Sequence, residues 1–221
     1  MLNFWFWLAL VMAAADWLVV ARGGGRLRWL TKPGALLLMI VWFTTVGAWR
    51  GPLLWFGLAL VFSMLGDILL LPPRLFLGGL LAFLTAHAFY VVGFNTSPLA
   101  FRWTALFLLL PVLLPMGLFN QRLLNKMRRG PETRLTILLV VTYSLVIGLM
   151  LVSALLTPFR PAWPVGPAWM AVAGALLFVL SDSTLAAARF IRPLRYSELA
   201  VIVTYHVGQF LLAGAALWMF A

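Results

Sequence analysis

Cysteine is absent from this sequence of 221 residues. Disulfide bonds, cysteine-ligated zinc, iron–sulfur clusters and thiol catalysis are therefore all excluded. Acidic residues are almost as scarce, with five Asp and Glu against sixteen Lys and Arg. The two histidines belong to no HExxH motif and have no carboxylate at ligand spacing, which makes a poor zinc site. We expect neither a bound metal nor another cofactor.

Polar surface is also missing. The chain is 64% hydrophobic and only 10% charged, with a mean hydropathy of +1.06. A soluble domain would have to turn roughly half of its residues to water. We interpret residues 1–221 as a single all-α domain that spans the lipid bilayer several times. The apolar run at about 2–21 has no basic region before it and no clear cleavage site, so it is predicted to be a retained first helix.

The apolar segments are long enough to cross a bilayer. A hydrocarbon core of about 30 Å needs roughly 20 residues of helix. Glycine and proline divide the chain into eight such spans, predicted at about 3–21, 33–49, 52–71, 75–95, 100–120, 134–157, 165–190 and 197–220. Pro33 is expected in the first turn of the second span, where proline is tolerated. Pro111 and Pro115 predict a kink in the fifth.

The net charge of +11 does not indicate a nucleic-acid partner. A nucleic-acid site needs a basic face with exposed aromatic residues on a polar scaffold, whereas these basic residues lie between apolar spans. Loops after spans 1, 3, 5 and 7 hold thirteen of the sixteen: Arg22, Arg26, Arg28, Lys32, Arg74, Arg122, Lys126, Arg128, Arg129, Arg134, Arg189, Arg192 and Arg195. This bias predicts that both termini lie outside the cytoplasm, in an inner-membrane setting if the source is bacterial.

Two aspartates lie inside apolar spans, Asp67 after Gly66 and Asp182 after Ser181. An ionisable group in hydrocarbon costs roughly 2.5–3.5 kcal/mol and indicates a functional site. Burial and a neighbouring carboxylate both favour the protonated form of one member, so the pair would supply an acid and a base. The alternative is structural: each aspartate pairs with a Lys or Arg, such as Arg74 or Arg189, or caps a helix.

Other polar residues accompany the aspartates. His87 and Tyr90 share one helix face, and Tyr205 and Gln209 share another, where they would either contact a substrate or bond helices together. The basic loops closest to the aspartates place the predicted polar pocket in the cytoplasmic half of the membrane. No Gly-x-Ser-x-Gly motif is present, which disfavours a serine hydrolase.

The two aspartates have similar surroundings in the sequence. Each has leucine at +3 and arginine at +7, and each is followed in the next span by Thr-x-His, at His87 and His206. This pattern is compatible with a weak parallel repeat of four helices.

The motifs occur in a fixed order along the chain. They are Ser63-x-x-Gly66-Asp67-x-x-Leu70, Ala86-His87-x-x-Tyr90, Ser181-Asp182-x-x-Leu185-Ala186 and Tyr205-x-x-x-Gln209, preceded by Lys32-Pro33. Together they resemble the YhhN-like lysoplasmalogenase family of eight-helix membrane proteins. The resemblance covers essentially the whole chain. It implies hydrolysis of the vinyl ether bond of a lysoplasmalogen to a fatty aldehyde and glycerophosphocholine or glycerophosphoethanolamine.

The resemblance also suggests roles for individual residues. Asp67 and Asp182 would be catalytic, and Lys32 and the arginines at the membrane rim would hold the phosphate. The expected substrate-binding residues are Lys32, Ser63, His87, Tyr90, Ser181, Tyr205 and Gln209. Intramembrane aspartyl proteases are a poor match because their Tyr-Asp, Gly-x-Gly-Asp and Pro-Ala-Leu signatures are missing. Two alternatives stay open: a hydrolase of another lysolipid, and a lipid or small-molecule transporter or binding protein without turnover. No oligomeric state is predicted.

Overall fold

The computed structural model describes residues 2–100 and 102–221, which form helices and connecting turns without a strand. The eight long helices are α1 (Phe4–Ala21), α2 (Arg28–Gly47), α3 (Leu53–Leu70), α4 (Phe76–Phe94), α5 (Ala105–Arg128), α6 (Arg134–Leu155), α7 (Val165–Ala186) and α8 (Ser197–Phe220). Each is long and apolar enough to cross a membrane. The predicted fold class and the predicted number of spans are confirmed.

Two predicted helix boundaries are wrong. Helix α2 begins at Arg28 rather than at 33, because its hydrogen bonds start directly after the glycine turn, where the Arg28 N–H donates to the Gly25 carbonyl. Pro33 therefore lies inside the helix and not in its first turn. Helix α5 runs to Arg128 instead of 120. The predicted span ends where charged residues begin, but the backbone stays helical beyond them. The predicted start of that span at 100 adjoins Phe101, which lies outside the described residues.

Seven of the helices form a closed ring. Contacts run from α1 through α2, α3, α4, α6, α7 and α8 back to α1, and α8 also touches α2 and α3. Helix α8 is accordingly the most buried, and α5 is the least. Helix α5 lies outside the ring against α6 and against the π-helical turn Ala187–Ile191 that extends α7. The fold thus has one peripheral helix.

The two ends of the bundle differ in composition. Helices α1, α3, α5 and α7 finish at the end that carries the thirteen basic residues, and we call it the basic end. At the far end, the rings of Phe94, Trp163 and Phe220 pack at centroid distances of 5.6–5.9 Å. Arg160 donates there to Asn95 at 2.5 Å and to the Ser97 carbonyl. The far end is therefore filled by side chains.

Helices α7 and α8 approach closely at two glycines. A Cβ atom at Gly174 would lie 3.0 Å from the Gly208 carbonyl oxygen and 3.0 Å from the Leu212 backbone nitrogen. Small residues permit such backbone contact between membrane helices. Gly174→Ala is expected to lower the free energy of unfolding by roughly 1–3 kcal/mol, measured by thermal denaturation in detergent. Gly117→Ala is the matched control, since nothing lies within 4 Å of that position, and equal stability of the two variants would contradict the packing assignment.

Candidate active site

A cavity of about 100 Å³ lies near the basic end of the bundle. It is reached by residues from the start of α2, such as Arg28, and from the final turns of α3 and α7, such as Leu70 and Ala186. Five of the residues predicted for the site line this cavity: Lys32, Asp67, Ser181, Asp182 and Tyr205. The structure thus brings the two intramembrane aspartates to one cavity although 115 residues of sequence separate them.

Asp67 is held by two buried partners. The Lys32 ammonium lies 3.1 Å from Oδ1, and the Tyr205 hydroxyl donates to Oδ2 at 2.8 Å. The carboxyl side chain is 1% exposed and the lysine side chain 9%. The structural alternative of an ion pair is therefore realised for Asp67, with Lys32 as partner instead of Arg74. Because α2 starts early, Lys32 lies more than a turn inside the helix, where it faces Asp67.

Asp182 has a different set of partners. The Tyr143 hydroxyl donates to Oδ2, and His87 Nε2 lies 3.4 Å from the same oxygen and 2.9 Å from the Tyr143 oxygen. His87 is fully buried, whereas the Asp182 side chain keeps 18% of its surface exposed. The carboxyl group of Asp182 therefore faces the cavity with an imidazole and a phenol behind it. Arg189, the alternative partner, instead lies over the Phe76 ring.

Four predicted site residues do not line the cavity: Ser63, His87, Tyr90 and Gln209. Tyr90 donates to Gln209 Oε1 at 2.5 Å and so connects α4 to α8. Ser63 is buried, and its hydroxyl has no hydrogen-bond partner within the described part of the chain. Ser181, although it lines the cavity, donates to the Val201 carbonyl at 2.9 Å. The assignment of these residues to substrate binding stays a prediction.

Sequence reasoning missed Tyr143 and did not single out Arg28. Tyr143 belongs to the polar triplet Thr142-Tyr143-Ser144 inside an otherwise apolar span, and that signal would have identified it. Arg28 lines the cavity and pairs with Glu198 at 2.8 Å, and its buried Nε–H has no acceptor among the described residues.

The partners of the two aspartates correspond in the two halves of the chain. Each aspartate lies on the third helix of its half, with one partner on the second helix of the same half, Lys32 for Asp67 and Tyr143 for Asp182. The other partner comes from the fourth helix of the opposite half, Tyr205 for Asp67 and His87 for Asp182. This correspondence is compatible with a four-helix repeat, which stays a hypothesis. The chemistry of the partners has diverged: one aspartate faces an ammonium group, the other an imidazole and a phenol.

The fold and the cavity define an eight-span membrane protein with two carboxyl groups in a pocket near one end. The chain belongs to the YhhN family, whose family model matches residues 27–216. It is similar to lysoplasmalogenase TMEM86B of Homo sapiens, with 35% identity over 72% of this chain and 62% of the human protein. Lysoplasmalogenase TMEM86B of Sus scrofa is 33% identical over 83% of this chain and 73% of its own length.

A third relative is lysoplasmalogenase TMEM86A of Homo sapiens, 35% identical over 71% of this chain and 62% of that protein. The chain therefore spans about 62–73% of the length of these three curated relatives. No solved structure matches the chain significantly. Among the described residues, no group of three or more His, Asp and Glu could hold a metal ion.

Proposed function

We propose that this chain is a lysoplasmalogenase, which hydrolyses the vinyl ether bond of a lysoplasmalogen. The observation that carries the proposal is the shared cavity of Asp67 and Asp182, since two carboxyl groups with different partners suit one role in proton transfer and one in charge stabilisation. The names of three relatives at 33–35% identity support the same substrate class. Because the substrate is a lipid, a site inside the membrane domain is accessible to it.

The proposed reaction needs a proton, a water molecule and a negative charge. A proton added to the β-carbon of the vinyl ether gives an oxocarbenium ion. Water then adds to the carbon attached to oxygen, loses a proton to a carboxylate and forms a hemiacetal. Its collapse breaks the carbon–oxygen bond, transfers a proton to the departing oxygen and releases the aldehyde and the glycerophospho product. One water molecule is consumed, and the two carboxyl groups return to their starting states.

The partners of the aspartates suggest a division of these roles. Asp182 faces the cavity and contacts both Tyr143 and His87, so we assign proton transfer to it. Asp67 is nearly inaccessible and bonded to Tyr205, so we assign to it stabilisation of the oxocarbenium charge through space. Lys32 would serve this site by balancing the charge of Asp67 rather than by binding phosphate.

Arg28 is the better candidate for the phosphate. It lines the cavity at the basic end, and guanidinium groups bind phosphate by paired hydrogen bonds. The substrate would then lie with its headgroup toward the basic end and its vinyl ether beside the aspartates. By the positive-inside rule, that end would face the cytoplasm.

The packed far end is compatible with an enzyme. A transporter with alternating access is also closed toward one membrane face in each of its states, so aldehyde release is the observation that separates the two functions. Here the residues that line the cavity come from the basic end and the middle of the bundle, while the far end is filled by aromatic rings and Arg160. This arrangement suits an enzyme that takes up substrate and releases products without moving them across the membrane.

The direct test is aldehyde release by the purified protein in detergent. Lysoplasmenyl-ethanolamine and lysoplasmenyl-choline are the substrates, and the matching lysophosphatidyl lipids, which carry an ester in place of the vinyl ether, are the controls. We expect aldehyde from the vinyl ethers and no fatty acid from the esters. Fatty acid release without aldehyde would replace the proposal with hydrolysis of another lysolipid.

Tyr143→Phe removes the hydroxyl group that joins Asp182 to His87. We expect kcat to fall by about 10–100-fold, since a hydrogen bond to a charged group contributes roughly 1.5–3 kcal/mol. KM and thermal stability should stay near the wild-type values, because the ring is kept. Tyr196→Phe is the matched control, since Tyr196 is 67% exposed and does not line the cavity. If both variants lose activity equally, the positioning role of Tyr143 is wrong.

A further inference from the structure

A second void borders the candidate active site. It is a crevice of about 290 Å³ between α5 and α6, lined mainly by apolar side chains such as Leu124 and Val141. Four residues line both the crevice and the cavity of the aspartates: Asn120, Leu123, Val140 and Ser144. Ser144 follows Tyr143, the partner of Asp182, directly in the sequence. The crevice and the cavity therefore adjoin and share part of their walls.

The cavity of the aspartates, at about 100 Å³, is smaller than the crevice beside it, at about 290 Å³. A vinyl ether that reaches Asp182 must still place its long hydrocarbon chain somewhere, and the far end of the bundle is filled. The crevice is the adjoining space of suitable size and apolar character.

The position of the crevice connects it with the bilayer. Leu145, which lines it, is 69% exposed on the outer surface of α6. Helix α5, the other wall, is the least buried of the eight helices and lies outside the ring. A chain in the crevice would therefore run from the aspartates sideways between two helices and into the surrounding lipid.

We propose that the α5–α6 crevice binds the single hydrocarbon chain of the substrate and is the lateral route by which the lipid enters from the membrane. This inference rests on the proposed function. A chain that leaves lipid for an apolar crevice gains little from the hydrophobic effect, since both surroundings are apolar. The crevice would act by position: it fixes the chain so that the vinyl ether lies beside Asp182.

The test fills the crevice and compares two chain lengths. Val141→Trp adds bulk to a residue that lines the crevice but not the cavity. With a hexadecenyl lysoplasmalogen, we expect kcat/KM to fall by about tenfold or more, because the chain is displaced. With a butenyl analogue, which is too short to reach the crevice, the change should be less than about twofold, because the reacting groups keep their positions. Leu138→Trp, on the lipid-facing surface of the same helix at 62% exposure, is the matched control.

A second measurement tests the crevice without depending on how well Val141→Trp folds. Because the chain has no cysteine, Leu124→Cys creates a single thiol on the opposite wall of the crevice. A bulky maleimide should inhibit hydrolysis of the long-chain substrate in a protein that folded before modification, and a non-hydrolysable long-chain ether should slow the labelling.

The outcomes separate the two proposals. If the wild type releases no aldehyde from either substrate, the proposed function fails. If the wild type is active but Val141→Trp affects both chain lengths equally, or the labelled thiol leaves activity unchanged, the crevice is not the chain site. Loss confined to the long chain, absent from Leu138→Trp, supports it.

Discussion

Asp182→Asn is expected to abolish aldehyde release while the protein stays folded. Removal of a general acid or base commonly lowers the rate by about 10²–10⁴-fold. The amide fits the same space and still accepts a hydrogen bond from Tyr143, so little structural change is expected. The measurement is single-turnover aldehyde formation by purified protein, with elution as one monodisperse peak as evidence of folding.

The matched control is Asp16→Asn. Asp16 is fully buried between α1 and α2, accepts a hydrogen bond from Thr31 at 2.5 Å and does not line the cavity. It tests the loss of a buried carboxylate that does not line the cavity, and far more of the activity should remain than in Asp182→Asn. Full activity of Asp182→Asn, or equal losses in the two variants, would falsify the catalytic assignment.

Lys32→Met is expected to destabilise the protein strongly. It leaves Asp67 buried without its counter-ion, and the loss of one partner of a buried ion pair costs roughly 3–5 kcal/mol. The measurement is thermal unfolding in detergent, followed by tryptophan fluorescence. Asp67→Asn should also destabilise the protein, because it leaves the Lys32 ammonium group unpaired. Replacement of Asp67 is therefore expected to lower stability, whereas replacement of Asp182 is not.

The double variant Lys32→Met with Asp67→Asn distinguishes a structural effect from a catalytic one. Both charges are then gone, so we expect it to be more stable than Lys32→Met and the two losses to be clearly non-additive. Activity should remain absent, because Asp67 is missing. Additive losses of stability would mean that the two side chains do not depend on each other.

The fold was largely predictable because a membrane constrains it. Eight apolar segments of sufficient length, separated by glycine, proline and basic residues, could form few structures other than a helix bundle. The predicted helix boundaries are wrong where charged residues belong to a helix. Lys32 and Arg122 are charged, so both were excluded from spans, yet both belong to continuous helices.

The site was predictable in part. Asp67 and Asp182 stand out because ionisable residues are rare in hydrocarbon, and the structure places both at one cavity. The partners of the aspartates could not be predicted, because no local sequence motif determines which helices are neighbours in the ring. Tyr143 comes from the sixth helix to Asp182, and Tyr205 from the eighth to Asp67. Tyr143 is predictable from the sequence if uncharged polar residues inside apolar spans are also treated as candidates.

The ion pair between Lys32 and Asp67 bears on how the chain enters the membrane during synthesis. Alone, a lysine or an aspartate adds roughly 2.5–3.5 kcal/mol to the cost of insertion at the centre of a helix, and less near a helix end, where Lys32 and Asp67 lie. These two residues lie on consecutive helices, and only the turn at residues 48–52 separates α2 from α3. If the two helices leave the translocon together as a hairpin, the charges enter the lipid as a neutral pair. Insertion of the two helices one after the other would cost more free energy, because each charge would then enter the lipid alone.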